Sequence, residues 1–151
     1  MMNNIAWLCN HALSKNEGYK TSSDKITDLL AKNHKLNIDK YYTSGSELQT
    51  QVFPGLPILK ENKPPKTKIL INNVLPDAYF HTAEYNIGFT YWETNKLPSS
   101  WVKEMNRMDE VWTTSTWAKD VFIDSGVKVN VSNFSLGIDK NLYKPFKQKR
   151  G

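Results

Sequence analysis

Apolar residues fall along the chain in short blocks whose spacing switches between two and three or four, the pattern of strands alternating with helices. Asn4–Asn10 reads as a short, mostly apolar strand that opens into a polar stretch, Asn10–Lys20, holding Gly18. Thr21 and Asp24 then stand at capping-box spacing, and Ile26, Leu29 and Leu30 share one helical face, so a helix is predicted there. Leu36–Tyr42 alternates through Leu36, Ile38 and Tyr41 and predicts a second strand. Thr43–Lys68 contains Gly45, Pro54, Gly55, Pro57, Pro64 and Pro65 with weak periodicity, and reads as loops around one short element at Glu47–Phe53.

The second half is more regular. Lys68–Leu75 and Tyr85–Trp92 are strand candidates separated by a loop around Pro76. Pro98 and Ser99 introduce a helix with apolar positions Trp101, Val102, Met105 and Met108. Asp109–Thr114 carries β-formers, and Thr116–Ser125 predicts a helix closed by Gly126 with Trp117, Val121 and Phe122 inward. Val127–Leu136 gives a sixth strand, and Gly137 starts a polar, Lys-rich tail. Strands alternating with helices of this length predict an α/β fold, a mostly parallel sheet with helices on both faces. Such sheets take ligands beyond the carboxyl ends of their strands. That selects Asn10–Lys20, Pro76–Glu84, Glu93–Pro98, Ser115 and Gly137–Asp139.

Composition narrows the class. With 151 residues, 39% hydrophobic and 23% charged, the chain has the profile of one globular domain. Cys9 is the single cysteine, which excludes an internal disulfide and a cysteine-based zinc site. No apolar run approaches the roughly 18 residues of a membrane span. Ile5–Cys9 is too short for a signal-peptide core and has no basic residue before it, so a cytoplasmic location is the default expectation. The net charge of +5 raises the question of nucleic acid, but only Arg107 and Arg150 among the 20 basic residues are Arg. Bidentate base and phosphate contacts rely on Arg, so the footprint argues against a nucleic-acid partner.

The run Asn86-Ile87-Gly88-Phe89-Thr90-Tyr91-Trp92-Glu93-Thr94, followed by Leu97-Pro98, Trp101-Val102, Asn106, Met108-Asp109-Glu110-Val111-Trp112, Ser115, Val121-Phe122, Ser125-Gly126-Val127, Gly137-Ile138-Asp139 and Tyr143-Lys144-Pro145, resembles the N-terminal domain of GT-B glycosyltransferases of the group 1 family. Order and spacing match over Asn86–Pro145, about two fifths of the chain. Glu17-Gly18-Tyr19-Lys20 looks like the family's glycine loop, with Lys20 in place of a second glycine.

The resemblance implies a Rossmann-like domain that shapes the acceptor side of a two-domain enzyme. Its partner domain would grip the nucleotide-sugar donor, and a sugar would pass to a glycan or other acceptor without a metal or other cofactor. It places a Rossmann-like domain at residues 1–136 and the start of an interdomain linker at 137–151. Since 12 residues follow Asp139, the C-terminal half is expected to be absent and the isolated chain inactive. The alternative is a non-catalytic Rossmann-like module that docks a partner domain or holds a glycan.

Glu93 is the candidate catalytic residue. It closes an apolar strand at the carboxyl edge, where a carboxylate can orient an acceptor hydroxyl or act as a base. Relatives carry a histidine-containing motif in this region, which is missing here. The competing reading of Glu93 is a surface or capping acid. Gly18, Tyr19 and Lys20 are candidates for the donor diphosphate, because a glycine loop before a helix N-terminus favours anions. For Gly18 the competing reading is an ordinary turn glycine, and for Lys20 a solvated surface charge. Trp92 is the tryptophan nearest the predicted cleft and a candidate sugar platform. Ser115 is a candidate ligand contact whose first reading is a helix N-cap. His11, His34 and His81 are isolated and read as surface residues, and no cluster has the spacing of a metal site.

Overall fold

The computed structural model describes residues 5–10, 18–43 and 66–144. Six strands, β1 (Ile5–Asn10), β2 (Ile38–Thr43), β3 (Ile69–Asn73), β4 (Tyr85–Phe89), β5 (Glu110–Thr113) and β6 (Asn130–Asn133), form one sheet in the order β2-β1-β3-β4-β5-β6. Every pairing is parallel, from Ile5↔Ile38 and Ile5↔Ile69 to Val111↔Val131. The helices are α1 (Gly18–His34), α2 (Ser99–Met105) and α3 (Thr116–Asp124), with a 3-10 turn at Pro76–Ala78. None of these helices is long and apolar enough to cross a membrane.

The chain winds outward from β1 to β2, then returns past β1 and proceeds through β3 to β6. Right-handed crossovers in opposite directions place helices on opposite faces. Accordingly, Ile26 and Leu30 of α1 pack with Trp7, Cys9, Ile71, Ile87 and Phe89 on one face. Met105, Ala118 and Phe122, from α2 and α3, pack with Val111 and Val131 on the other. The fold is thus a Rossmann-like α/β sheet with helices on both faces. Residues Ala6–Cys9 are buried whichever way they point, as a central parallel strand requires.

Buried asparagines fasten the connections. Phe80 N donates to Asn72 Oδ1 at 2.9 Å while Asn72 Nδ2 donates to Phe80 O at 3.1 Å, so the side chain stands in for one rung of a ladder. Asn86 does the same with Ala83 through its Oδ1 and Nδ2, both at 3.0 Å. Together they hold the loop after β3 against the sheet. Its Tyr79 ring lies on Gly88, where a Cβ would stand 2.4 Å from a ring carbon. Gly126, at φ +106°, closes α3, and Val127 N reaches back to Phe122 O at 3.0 Å.

Several expectations shift. The α1 helix begins at Gly18, so Thr21 and Asp24 lie inside it and form no capping box at its start. Gly18 is a helical residue without positive φ, not a turn glycine. Leu29 is exposed while Ile26 and Leu30 pack. β4 stops at Phe89 and β6 spans Asn130–Asn133, because the chain leaves the ladder after one further bond on each, Thr90 N to Trp112 O and Phe134 N to Thr113 O. Trp117 points outward, 51% exposed, since α3 buries Ala118, Val121 and Phe122 instead. The element expected at Glu47–Phe53, the stretch 11–17 with His11, and residues 145–151 lie outside the described residues.

Gly88→Ala should destabilise the domain by about 1–3 kcal/mol, because the new methyl group drives into a packed ring. Tyr79→Phe supplies the contrast. The Tyr79 hydroxyl is buried without a partner among the described residues, and burial holds its ionisation well above the ordinary tyrosine value. Removing it should leave the thermal midpoint unchanged or higher. Chemical denaturation of Gly88→Ala and a thermal melt of Tyr79→Phe, each beside the parent, read the two effects.

Candidate functional site

In a parallel sheet the connections that leave strand carboxyl ends gather on one edge. Gly18 follows β1, Glu93 follows β4 and Ser115 follows β5, so the three share that edge. The chain's change of direction falls between β1 and β3, which makes the space beside α1's first turn the crevice of the fold.

Two tyrosines clasp that crevice. The Tyr19 hydroxyl, in the first turn of α1, pairs with Thr90 Oγ1 at 2.8 Å and accepts Tyr91 N at 3.3 Å. Tyr91 reaches back to Ser22 Oγ at 2.5 Å, and the two rings sit 4.5 Å apart. Ser22 Oγ donates its proton to Tyr19 O at 3.1 Å, which leaves Tyr91 as donor in the Tyr91–Ser22 bond. Burial raises the Tyr91 ionisation above its ordinary value despite its hydrogen bonds with Ser22 and Asn73, so the phenol keeps its proton.

Beneath the clasp, Ser23 Oγ accepts Trp7 Nε1 at 2.9 Å and Asn73 Nδ2 at 2.7 Å. This network ties α1 to β1 and β3 across the chain reversal. Asn73 Oδ1, Thr113 Oγ1 and Trp92 Nε1 are buried with no hydrogen-bond partner among the described residues. Asn73 and Thr113 end their strands, and Trp92 lies three residues beyond β4. An unpaired buried polar group costs about 1–3 kcal/mol. These three lie at or just beyond the edge where ligands bind such sheets, whereas Thr67 and Thr82, whose hydroxyls are likewise buried without a partner among the described residues, precede β3 and β4.

The sequence candidates divide. Glu93 is exposed and makes no hydrogen bond or ion pair with any described residue. Gly18 opens α1, and among the described residues beyond its chain neighbours and its own helix backbone no heavy atom lies within 4 Å of where a Cβ would stand, so their packing does not demand a glycine. Tyr19 faces Tyr91 and acts as a brace. Lys20 is turned away from a phosphate role: its Nζ lies 2.6 Å from Asp24 Oδ2, one helical turn on. Trp92 is no open platform, for its ring meets Trp101 at 4.9 Å and packs against the α2–α3 core. Ser115 caps α3, its hydroxyl accepting Ala118 N at 3.1 Å. His34 and His81 are exposed, and no group of three or more His, Cys, Asp or Glu among the described residues is placed to hold a metal ion. Ser22, Thr90, Tyr91 and Asn73 escaped the sequence reading. The signal for the clasp is slight: Tyr19 in the polar stretch after the first predicted strand, and Tyr91 near the end of the strand predicted at Tyr85–Trp92.

Asp24 joins α1 to β2, with Lys40 Nζ 3.3 Å from its Oδ1 and Lys20 on Oδ2. Partial burial disfavours its charge, but the hydrogen bonds and charges of Lys20 and Lys40 outweigh that cost and hold the carboxyl below its ordinary value. A carboxyl with a lowered folded-state pKa adds stability above its unfolded pKa of 3.8 and loses it as pH falls through the folded value. Because these groups are about a third exposed, the expected gain near neutral pH is only about 0.5 kcal/mol. Asp24→Asn should remove that increment at pH 7, flatten the acid limb of the stability profile, and match the parent once both are in strong acid. Denaturant titrations across pH check it.

Comparison of the chain with protein-family models, with curated proteins and with solved structures finds no match.

Proposed function

We propose that this chain is the N-terminal, acceptor-side half of a GT-B glycosyltransferase of the group 1 family. A sugar would pass from a nucleotide-sugar donor to a glycan or other acceptor once a C-terminal nucleotide-binding domain is engaged. The observation that carries the reading is the clasp, which fastens the N-terminus of α1 to the segment ending in Glu93, a carboxylate without a partner among the described residues. A helix N-terminus favours an anionic group such as a donor diphosphate. A carboxylate held on the same edge suits an acceptor hydroxyl. In the transfer, the acceptor oxygen bonds to the anomeric carbon as the carbon–oxygen bond to the diphosphate breaks; the diphosphate leaves with that electron pair and takes up the acceptor's hydroxyl proton. Glu93 orients that oxygen, while Tyr19 and Tyr91 keep the two sides in register.

Two variants test this in the chain joined to a nucleotide-sugar-binding GT-B domain and assayed for sugar transfer. Glu93→Gln should lower turnover by about 10- to 100-fold with unchanged nucleotide affinity, because alignment at the reacting centre is lost. Equal turnover would remove Glu93 from the reaction. Gly18→Ala should hold or raise the thermal midpoint, since alanine is the better helix former by about 1 kcal/mol. The same methyl group should weaken nucleotide-sugar binding by filling space open to the diphosphate. Unaltered binding would make Gly18 an ordinary helix residue. Failure of the joined protein to transfer, with glycan binding intact, would favour the non-catalytic module. Transfer by the 151-residue chain alone would overturn the division of labour between the domains.

A further inference from the structure

Trp117 stands apart from the other tryptophans. Trp7 is fully buried, Trp92 and Trp101 pack on each other, and Trp112 stacks with Phe134 at 5.2 Å and an interplanar angle of 6°. Trp117 is 51% exposed, and no described ring pairs with it. A large apolar ring left in water forfeits the burial that would otherwise stabilise the fold. Its position is fixed nonetheless. It is the second residue of α3, which Ser115 caps at the carboxyl edge, the edge that also carries Glu93.

Short polar groups lie beside that turn. Asn133 Nδ2 donates to Thr116 Oγ1 at 3.3 Å, and Ser135 Oγ donates to Asn133 Oδ1 at 3.2 Å. These hydroxyl and amide groups belong to exposed residues at the end of β6 and the start of α3. Asp120 and Asp124, three and seven residues on from Trp117, are exposed and share its side of the helix. Asp120 and Asp124 put negative charge on that side of α3, which disfavours the phosphates of a nucleic acid there. A neutral pyranose suits the ring. The C–H face of the sugar lies on the indole, and its hydroxyls exchange hydrogen bonds with short amide and hydroxyl side chains.

We propose that Trp117 is the stacking platform for a neutral pyranose ring of the acceptor glycan. The proposal rests on the glycosyltransferase reading for its place in a reaction, but its binding claim can be tested separately. The test uses the 151-residue chain labelled with 15N at its tryptophan indoles, the Trp117 signal being identified by its loss in Trp117→Phe. The probes are neutral gluco-, manno- and galacto-configured trisaccharides at millimolar concentration, with oligothymidylate as the nucleic-acid comparison.

At least one trisaccharide should shift the Trp117 signal more than the other four indoles. Trp117→Ala should weaken that binding tenfold or more at an unchanged thermal midpoint, and Trp117→Phe should retain part of it. The proposal is overturned if no trisaccharide moves the signal, if Trp117→Ala binds as the parent does, if oligothymidylate is the ligand that shifts it, or if the shift follows protein concentration alone. In the joined two-domain protein, Trp117→Ala should raise the acceptor KM with little change in donor affinity. An unchanged acceptor KM sinks the platform alone. Saccharide binding through Trp117 in a protein that transfers no sugar sinks the transferase reading and leaves the platform standing.

Discussion

Everything at the carboxyl edge depends on one constraint, that a parallel ladder joined by right-handed crossovers can change direction only by moving its helices to the other face. The chain changes direction once, in the connection from β2 to β3, which puts the switch point of the sheet between β1 and β3. Strands β1 and β3 therefore become neighbours whose following connections diverge, α1 to one face and the loop through Pro76–Ala78 to the other. The opening between them is a by-product of topology, and the first turn of α1 is delivered to its rim without any residue having been chosen for the purpose.

What fills that opening is side-chain chemistry. Strand interiors leave polar groups few partners, yet Asn72, Asn73 and Asn86 are all buried. Asn72 and Asn86 satisfy the backbone of the loop after β3, and Asn73 reaches under α1 to Ser23. The same strand thus anchors both layers, with adjacent residues facing opposite ways as the pleat demands. Above Asn73 the tyrosine clasp joins α1 to the end of β4 through hydrogen bonds that bring together residues some seventy positions apart.

The charged groups of α1 play a different part. Lys20, Asp24 and Lys40 form a partly exposed network between α1 and β2, and Asp28 extends it. Such pairs contribute little to stability individually. Their consequence is positional, because a Lys20 held by its own helix is a poor point charge for a ligand. Any anion at this helix end would rely on backbone N–H groups and on the space over Gly18.

The sequence by itself determined the order of the elements and the identity of most core positions. Trp7, Leu70, Phe89, Val111 and Phe122 lie in apolar blocks of the right period, which pointed to a mostly parallel sheet covered on both faces, while the strand order came from the tertiary structure. Ser115 and Gly126 were legible for the same local reason, since a cap and a left-handed residue act within one helical turn. The start of α1, the outward turn of Trp117, the diversion of Lys20 to Asp24 and the burial of Trp92 were decided by tertiary structure. Periodicity marks a helical stripe only to within a residue or so, and Trp117 is next to Ala118, which takes the buried place. The clasp lay further out of reach, for a hydrogen bond between Tyr91 and Ser22 exists only once six parallel strands have brought two distant segments to the same edge.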